Sequence, residues 1–136
     1  MSKDGMDCIL CAFDIKSKKL KYAGANNFFY LLRNNEIIVS QTDKMPVGLT
    51  HKERPFTLHE IDLKENDQLY LVTDGFADQF GGPKGKKFKY KQLQQLILSN
   101  GSLSMPEQKE LLNNEIENWR GNLEQVDDIC LVGIKI

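Results

Sequence analysis

The feature that most restricts the possible folds of this chain is a series of short apolar segments, each closed by a polar turn, in its first half. Four such segments cover residues 6–15, 20–25, 28–33 and 36–41. Short apolar runs between turn residues are typical of β-strands. Asn34 and Asn35 separate the last two segments, and asparagine tolerates the positive φ angles that a two-residue hairpin turn requires. We therefore predict that the first third of the chain forms a β-meander.

The rest of the chain adds further strands and, late in the sequence, two helices. The predicted elements are a loop at 42–55, strands at 56–63 and 68–72, helices at 89–99 and 105–119, and a last strand at 129–136. The helices are predicted from apolar residues at helical spacing, and Ser104 followed by Pro106 is a typical start for the second one. A strand-rich body with two late helices indicates the α+β class.

Length and charge limit the kind of protein this chain can be. With 136 residues it is long enough for one hydrophobic core, so residues 1–136 are predicted to form a single domain. A formal net charge of -1 provides no overall field to attract nucleic acid, which we exclude as a partner. No segment approaches the roughly 20 apolar residues of a membrane-spanning helix. We therefore expect a cytoplasmic location, although a longer parent protein could be anchored in a membrane.

Two acidic spots lie at equivalent positions beside apolar strands. Asp74 follows the strand at 68–72, and Asp127 and Asp128 precede the strand at 129–136. In an antiparallel neighbouring pair, these positions lie at the same edge of a sheet. Carboxylate oxygens are suitable ligands for Mg²⁺ or Mn²⁺, and a water bound between two such ions becomes a nucleophile near neutral pH. Metal-assisted hydrolysis of a phosphoester is therefore one hypothesis.

A structural interpretation of the same residues remains open. Asp-Gly is among the commonest turn dipeptides, and paired aspartates often only solvate the start of a strand. Gly75 fits both interpretations, because it can serve the turn or leave room for the backbone beside an ion. Asp78 lies four residues after Asp74, where it could assist a further ion or simply act as a capping or solvated carboxylate.

Five short motifs, taken in order, resemble the protein phosphatase 2C (PPM) family. They are Tyr22-Ala23-Gly24-Ala25-Asn26-Asn27, Met45-Pro46-Val47-Gly48, Leu69-Tyr70-Leu71-Val72-Thr73-Asp74-Gly75, Lys87-Phe88 and Asp127-Asp128-Ile129. Each motif alone is weak, but their order and their spread over residues 6–136 make the resemblance specific. The order is similar to that of the bacterial branch typified by the sporulation stage II protein E phosphatase and the stress-response sigma-regulator phosphatases.

The resemblance implies an α/β/β/α antiparallel β-sandwich with two Mn²⁺ or Mg²⁺ ions at one end of the paired sheets. Asp74 and Asp127 match metal ligands of the family by position, and Asp128 is then a neighbouring group, like Thr73 and Gly75. The implied reaction is hydrolysis of phosphoserine or phosphothreonine on a regulatory protein, for example an anti-sigma-factor antagonist. Upstream sensor domains in the parent protein are also implied.

The sequence departs from the family pattern in two ways. The family's amino-terminal Gly-Asp and Gly-His-Gly motifs, whose aspartate bridges both metals, have no counterpart here. We therefore expect a sandwich that is truncated at its amino terminus, with at most a weak single-metal site in this chain. The second departure is Asn26, where Ala-Gly-His is common in relatives. By the resemblance, we expect this difference at Asn26 to affect the surroundings of the substrate more than the metals.

Two other interpretations compete with an active phosphatase site. Residues 81–87 are rich in glycine and lysine but lack the spacing and the preceding strand of a phosphate-binding loop. Their lysines, with Lys89 and Lys91 around Phe88 and Tyr90, could bind a phosphoprotein or nucleic acid through charge, but a solvated loop and helix start is the favoured interpretation. In a phosphatase, this mobile loop would flank the active site and could help select the substrate. A truncated sandwich leaves strand edges unpaired, so the chain could also be a catalytically silent binding module that forms a homodimer through these edges.

Overall fold

The computed structural model describes residues 4–48 and 54–136, so part of the predicted loop at 42–55 lies outside the described residues. The elements, in chain order, are β1 (Gly5–Met6), β2 (Cys8–Asp14), β3 (Lys19–Ala25), β4 (Phe29–Arg33), β5 (Glu36–Val39), β6 (Val47–Gly48), β7 (His59–Asp62), β8 (Gln68–Val72), α1 (Gly75–Asp78), β9 (Phe80–Gly81), β10 (Lys86–Lys87), α2 (Tyr90–Ser99), α3 (Met105–Arg120) and β11 (Leu131–Lys135). They confirm the α+β class.

Two antiparallel sheets form the body of the fold. One sheet has the strand order β11-β8-β4-β5, and the other has the order β2-β3-β7. Tyr22 of β3 and Phe29 of β4 come from opposite sheets, and their rings meet edge to face with centroids 4.8 Å apart. The core between the sheets contains Leu20, Tyr22, Phe29, Leu31, Leu63 and Leu69. The antiparallel β-sandwich that the motifs implied is thereby confirmed.

The predicted β-meander is wrong, because the early strands divide between the two sheets. β3 pairs with β2 and β7, whereas β4 pairs with β5 and β8. The burial of β4 gives the reason. Its residues Phe29 and Leu31 face the opposite sheet, whereas Tyr30 and Leu32 face the helices, and all four are at most 6% exposed. A strand that is apolar on both faces belongs in the middle of a layered structure, whereas a meander has one solvated face.

Helices α2 and α3 form a layer on the outer face of the sheet that contains β4. Leu93, Ile97, Leu112 and Ile116 are buried there with Tyr30, Leu32, Tyr70 and Val72. The predicted start of α3 is confirmed by a reciprocal capping box. The Ser104 side chain accepts a hydrogen bond from the Glu107 backbone N–H, and the Glu107 carboxylate accepts one from the Ser104 backbone N–H.

The predicted turns are confirmed more closely than the predicted strand ends. Asn34 and Asn35 adopt φ angles of 50° and 60° between β4 and β5, as the two-residue hairpin requires. The strand predicted at 56–63 is shorter, because Leu58 is 69% exposed and pairing starts at His59. The last strand, predicted at 129–136, is likewise shorter and spans Leu131–Lys135.

The described residues supply three of the four layers that the resemblance implies, namely two sheets and one layer of helices. The outer face of the β2-β3-β7 sheet carries surface ion pairs, with Lys19 Nζ 3.3 Å and Lys21 Nζ 3.9 Å from Glu60 carboxylate oxygens. Among the described residues, no helix combines the length and apolar character needed to cross a membrane.

Candidate metal centre

Strands β8 and β11 bring the two acidic spots of the sequence to one edge of a sheet. The strands are antiparallel neighbours, with Leu131 opposite Val72. Asp74 follows β8 and Asp127 precedes β11, so both lie just beyond the paired residues at the same end. The predicted strand pairing is confirmed, and the two carboxylates are therefore close although the residues are far apart in sequence.

The carboxylate of Asp127 lies close enough to Asp74 to affect its ionisation. Burial, the negative charges of Asp127 and Asp78, and a hydrogen bond with the Asp127 side chain together raise the pKa of Asp74 above its ordinary value. Asp74 is also the N-cap of α1, yet its side chain makes no capping hydrogen bond. A cation between the two carboxylates would replace a like-charge contact with two attractive ones. The donor set therefore fits a hard cation such as Mg²⁺ or Mn²⁺.

Thr73 fastens the end of β8 to the segment that carries Asp127 and Asp128. Its hydroxyl donates to the backbone carbonyl of Asp128 at 3.0 Å and accepts from the backbone N–H of Cys130 at 3.0 Å. The backbone N–H of Thr73 also donates to the Cys130 carbonyl at 3.0 Å. Next to this contact, Asp127 Oδ1 accepts the backbone N–H of Asp128 at 2.8 Å. Hydrogen bonds therefore restrain both acidic segments.

Gly75 is required by the close approach of these two segments. A Cβ atom at this position would collide with the backbone carbonyl of Asp128. The room that glycine leaves beside Asp74 is thus occupied by protein backbone. Any larger residue would push Asp128 away from β8, and Asp127 with it.

Asp78 lies one turn after Asp74 on α1, as the spacing predicts. Its backbone N–H donates to the carbonyl of Asp74 at 2.9 Å. Its carboxylate forms an ion pair with Lys87, with 3.4 Å between Oδ1 and Nζ. Asp78 therefore lies beside the centre, but its carboxylate is paired with Lys87. The side chain of Asp128 is exposed, and its backbone contacts Thr73 and Asp127.

Asn26 lies at the crossover between the two sheets. It has a φ angle of 54°, and its side-chain amide donates to Asp7 Oδ1 at 2.9 Å. The crossover leads into β4, whose first residue, Phe29, lies opposite Leu71 of β8. Asn26 is consequently at the same edge of the sandwich as Asp74, and its influence on the substrate's surroundings remains a prediction.

Two residues outside the predicted set of site residues border this centre. Burial, followed by the charges of Asp74, Tyr30 and Asp78, raises the pKa of Tyr90 to about 12. Its phenol, which is protonated at neutral pH as in any ordinary tyrosine, can donate a hydrogen bond to an anionic ligand. The ring packs against Phe28, with centroids 5.3 Å apart. No spacing rule connects a tyrosine at the start of a helix with an aspartate 16 residues earlier.

Gln79 is the second such residue, and it is fully buried directly after α1. Its side-chain amide nitrogen donates to the carbonyl of Glu124 at 2.9 Å, and its backbone carbonyl accepts from Trp119 Nε1 at 3.0 Å. These bonds tie the end of the Asp74 helix to the loop that leads to Asp127. A single buried glutamine has no recognisable pattern in a sequence.

The described residues contain no group of three or more His, Cys, Asp or Glu side chains placed to hold a metal ion. The candidate centre consists of the Asp74 and Asp127 pair, with Asp78 and Asp128 beside it. Two carboxylates suit Mg²⁺ or Mn²⁺, which keep several waters when they bind proteins.

Comparisons with known proteins agree with this fold. The family profile of stage II sporulation protein E (SpoIIE) matches residues 2–136. The PP2C domain of SiaA from Pseudomonas aeruginosa is 25% identical, with a TM-score of 0.87 over 96% of this chain and 51% of that chain. The manganese-presoaked phosphatase domain of SpoIIE from Bacillus subtilis is 18% identical, with a TM-score of 0.71 over 96% of this chain and 56% of that one.

A third solved structure, RsbX in complex with magnesium, is 12% identical, with a TM-score of 0.63 over 95% of this chain and 55% of that one. The chain thus spans about half the length of the structures it matches. A search of curated protein sequences found no significant match.

Proposed function

This chain belongs to the stage II sporulation protein E (SpoIIE) family, whose members have a PP2C-type phosphatase fold, and on that premise we propose that it provides Asp74 and Asp127 as metal ligands of a serine/threonine protein phosphatase. The observation that carries the proposal is that the pairing of β8 with β11 brings these two carboxylates to the same end of the sheet. The proposed reaction is metal-dependent hydrolysis of phosphoserine or phosphothreonine.

Four residues have proposed roles in this reaction, and they are Thr73, Asp74, Tyr90 and Asp127. Bound Mg²⁺ or Mn²⁺ supplies an activated water and neutralises the charge of the phosphoryl oxygens. Asp74 and Asp127 hold the cation, and Thr73 fixes the distance between the segments that carry them. The protonated Tyr90 phenol binds a phosphoryl oxygen from the α2 side of the site.

The oxygen ligands of this centre suit both Mn²⁺ and Mg²⁺, because both ions accept the same donors. The complete domain would hold two ions, in line with the resemblance. The SpoIIE structure was presoaked with manganese and the RsbX structure contains magnesium. These facts about relatives support either ion for this chain.

The proposed substrate is a phosphorylated regulatory protein, for example an anti-sigma-factor antagonist. A solved structure of the RsbU and RsbW domains of a Mycobacterium tuberculosis protein shares the fold, at 17% identity and a TM-score of 0.70 over 95% of this chain and 36% of that one. We propose a cytoplasmic site of action for the domain, within a parent protein that carries sensor domains.

A catalytically silent binding module is the second candidate function. It is favoured by the finding that the part of the chain described by the structure brings no third carboxylate into a ligand group. Two carboxylates alone would bind one cation weakly, so we expect the 136-residue chain by itself to hydrolyse little or no phosphopeptide. Its binding would then depend on the edge strands of the two sheets, which are β11 and β5 in one and β2 and β7 in the other.

Hydrolysis of a phosphoserine peptide by the full-length protein, with and without Mn²⁺, separates the two candidates. Asp74→Asn and Asp127→Asn should each reduce turnover by roughly 100-fold or more, since even residues that only support metal ligands are typically worth 10-fold to 100-fold. Asp62→Asn is the matched control, because Asp62 is an exposed aspartate in β7. Undiminished turnover in both ligand variants would refute the assignment, and absence of turnover in the unmodified protein would favour the silent module.

A further inference from the structure

A strongly basic segment follows the candidate metal centre in the sequence. Five lysines occur within residues 84–91, and no aspartate or glutamate lies between Gln79 and Glu107. Because the whole chain has a formal net charge of -1, the rest of it is net acidic. All five lysines are exposed, and they are Lys84, Lys86, Lys87, Lys89 and Lys91. The segment is therefore a local reversal of charge on an otherwise acidic protein.

Residues 80–87 form a β-hairpin where the sequence predicted a loop, and its lysines are exposed to solvent as predicted. Strands β9 and β10 pair antiparallel, with Lys86 opposite Gly81. The backbone N–H of Gly82 donates to the carbonyl of Trp119 at 2.8 Å, and a Cβ atom at either glycine would collide with Trp119. Phe88 is only 2% exposed, and its ring meets that of Trp119 with centroids 5.3 Å apart. We use the name basic hairpin for residues 80–91, which comprise the β9–β10 hairpin and the start of α2.

The basic hairpin adjoins the candidate metal centre. Lys87 Nζ lies 3.4 Å from Asp78 Oδ1, one helical turn after Asp74. The backbone N–H of Lys89 donates to the carbonyl of Ala77 at 2.8 Å, which holds the start of α2 against α1. A peptide whose phosphoryl group enters the centre would therefore have this hairpin within reach of its flanking residues.

Most of the positive charge of the basic hairpin is not neutralised within the described part of the chain. Lys87 is the one lysine of the five that forms an ion pair with a described carboxylate. Helix α2 begins in the same place and has no acidic residue in its first turn. Its N-terminus therefore adds to the positive potential of the lysines.

We propose that the basic hairpin docks an acidic segment of the phosphoprotein substrate, next to the phosphorylated residue that enters the metal centre. The inference rests on the proposed function, and it specifies the substrate class as proteins with carboxylates beside the phosphorylated serine or threonine. Single exposed ion pairs are weak, so several lysines act together, and the binding decreases with added salt. The hairpin is held rigidly by Trp119, so little ordering is needed when the segment binds.

The test is a binding measurement that does not depend on turnover. Two fluorescent phosphoserine peptides, one flanked by glutamates and one by glutamines, are titrated with the full-length protein in the presence of a metal chelator. The hairpin variant is Lys84→Ala/Lys86→Ala/Lys91→Ala, which leaves the Lys87–Asp78 pair intact. The control Lys16→Ala/Lys109→Ala/Lys135→Ala removes the same charge from exposed lysines elsewhere.

We expect the unmodified protein and the control to bind the glutamate peptide about tenfold more tightly than the glutamine peptide, and the hairpin variant to lose this preference. Equal binding of both peptides by the unmodified protein would overturn the proposal, as would an unchanged preference in the hairpin variant. Tighter hairpin-dependent binding to single-stranded RNA or to anionic lipid vesicles would overturn the choice of a protein segment.

Hydrolysis of the same two peptides, measured in parallel with Mn²⁺, separates this inference from the proposed function. A binding preference without hydrolysis would contradict the phosphatase assignment and leave the docking surface standing. Hydrolysis without a preference for the glutamate peptide would contradict the docking surface and leave the phosphatase assignment standing.

Discussion

The hydroxyl of Thr73 donates a hydrogen bond to the backbone carbonyl of Asp128 at 3.0 Å, although the two residues are 55 positions apart in the sequence. The same hydroxyl accepts the backbone N–H of Cys130 at 3.0 Å. One side chain therefore joins the end of β8 to the start of β11, directly between the segments that carry Asp74 and Asp127. The spacing of the two carboxylates depends on this contact.

Replacing Thr73 with valine should weaken Mn²⁺ binding about tenfold while preserving the fold. Valine keeps the size and shape of threonine but can neither donate to Asp128 nor accept from Cys130, so the acidic segment would lose its restraint. Residues that orient metal ligands typically contribute 10-fold to 100-fold in affinity. Isothermal titration calorimetry measures the effect, and Thr73→Ser should restore most of the affinity. A valine variant that binds Mn²⁺ normally would show that the contact is only structural.

Gly75→Ala should disturb the same centre through sterics. The added Cβ would collide with the carbonyl of Asp128, and overpacking of this kind costs about 1–3 kcal/mol of unfolding free energy. Gly85→Ala is the matched control, because nothing lies within 4 Å of its Cβ position and only its φ angle of +58° is unfavourable for alanine. Urea unfolding and Mn²⁺ titration of both variants test this. We expect only the substitution at Gly75 to lower the affinity for Mn²⁺.

The Arg33–Asp67 pair predicts a specific dependence of stability on pH. Asp67 is 2% exposed, and its carboxylate accepts from Arg33 Nη2 at 2.6 Å and from the backbone N–H of Lys64 at 2.7 Å. Burial alone would raise the pKa of Asp67, but these hydrogen bonds outweigh it and hold the pKa below its ordinary value. The stabilisation is therefore fully present above the unfolded-state pKa of about 3.9 and is lost as the pH falls below it.

Asp67→Asn tests this relationship. It leaves the Arg33 guanidinium without its carboxylate, which should cost about 3 kcal/mol at neutral pH. The difference from the unmodified protein should narrow as the pH falls below the unfolded-state value of about 3.9, where the stabilisation by the native carboxylate is lost. Glu65→Gln, an exposed neighbour in the same turn, is the control. Chemical unfolding at several pH values measures the effect, and a difference that does not change with pH would be inconsistent with it.

The proximity of the acidic residues could be predicted from sequence because it depends on local signals. An apolar strand that ends in Thr73-Asp74-Gly75 and a strand that begins after Asp127-Asp128 need only be antiparallel neighbours to meet at one edge. The start of α3 was equally predictable, because Ser104 and Glu107 have the spacing of a capping box.

Other parts of the fold depend on contacts between distant residues, for which the sequence carries little local signal. The partition of β3 and β4 between two sheets follows from which strand each one meets later in the chain, at His59–Asp62 and at Gln68–Val72. Gln79 and Tyr90 border the centre through contacts with Glu124 and with the charge of Asp74. Such contacts are set by packing, so only a structure reveals them.

The most direct test of the central claim is a double-mutant cycle on Mn²⁺ binding to the full-length protein. If Asp74 and Asp127 share one cation, Asp74→Asn and Asp127→Asn should each strongly reduce the affinity for Mn²⁺. The double variant should then bind Mn²⁺ almost as well as the single variant with the lower affinity. Asp62→Asn should bind Mn²⁺ like the unmodified protein. Independent effects that add in the double variant, or unchanged affinity in either single variant, would contradict a shared metal site at the junction of β8 and β11.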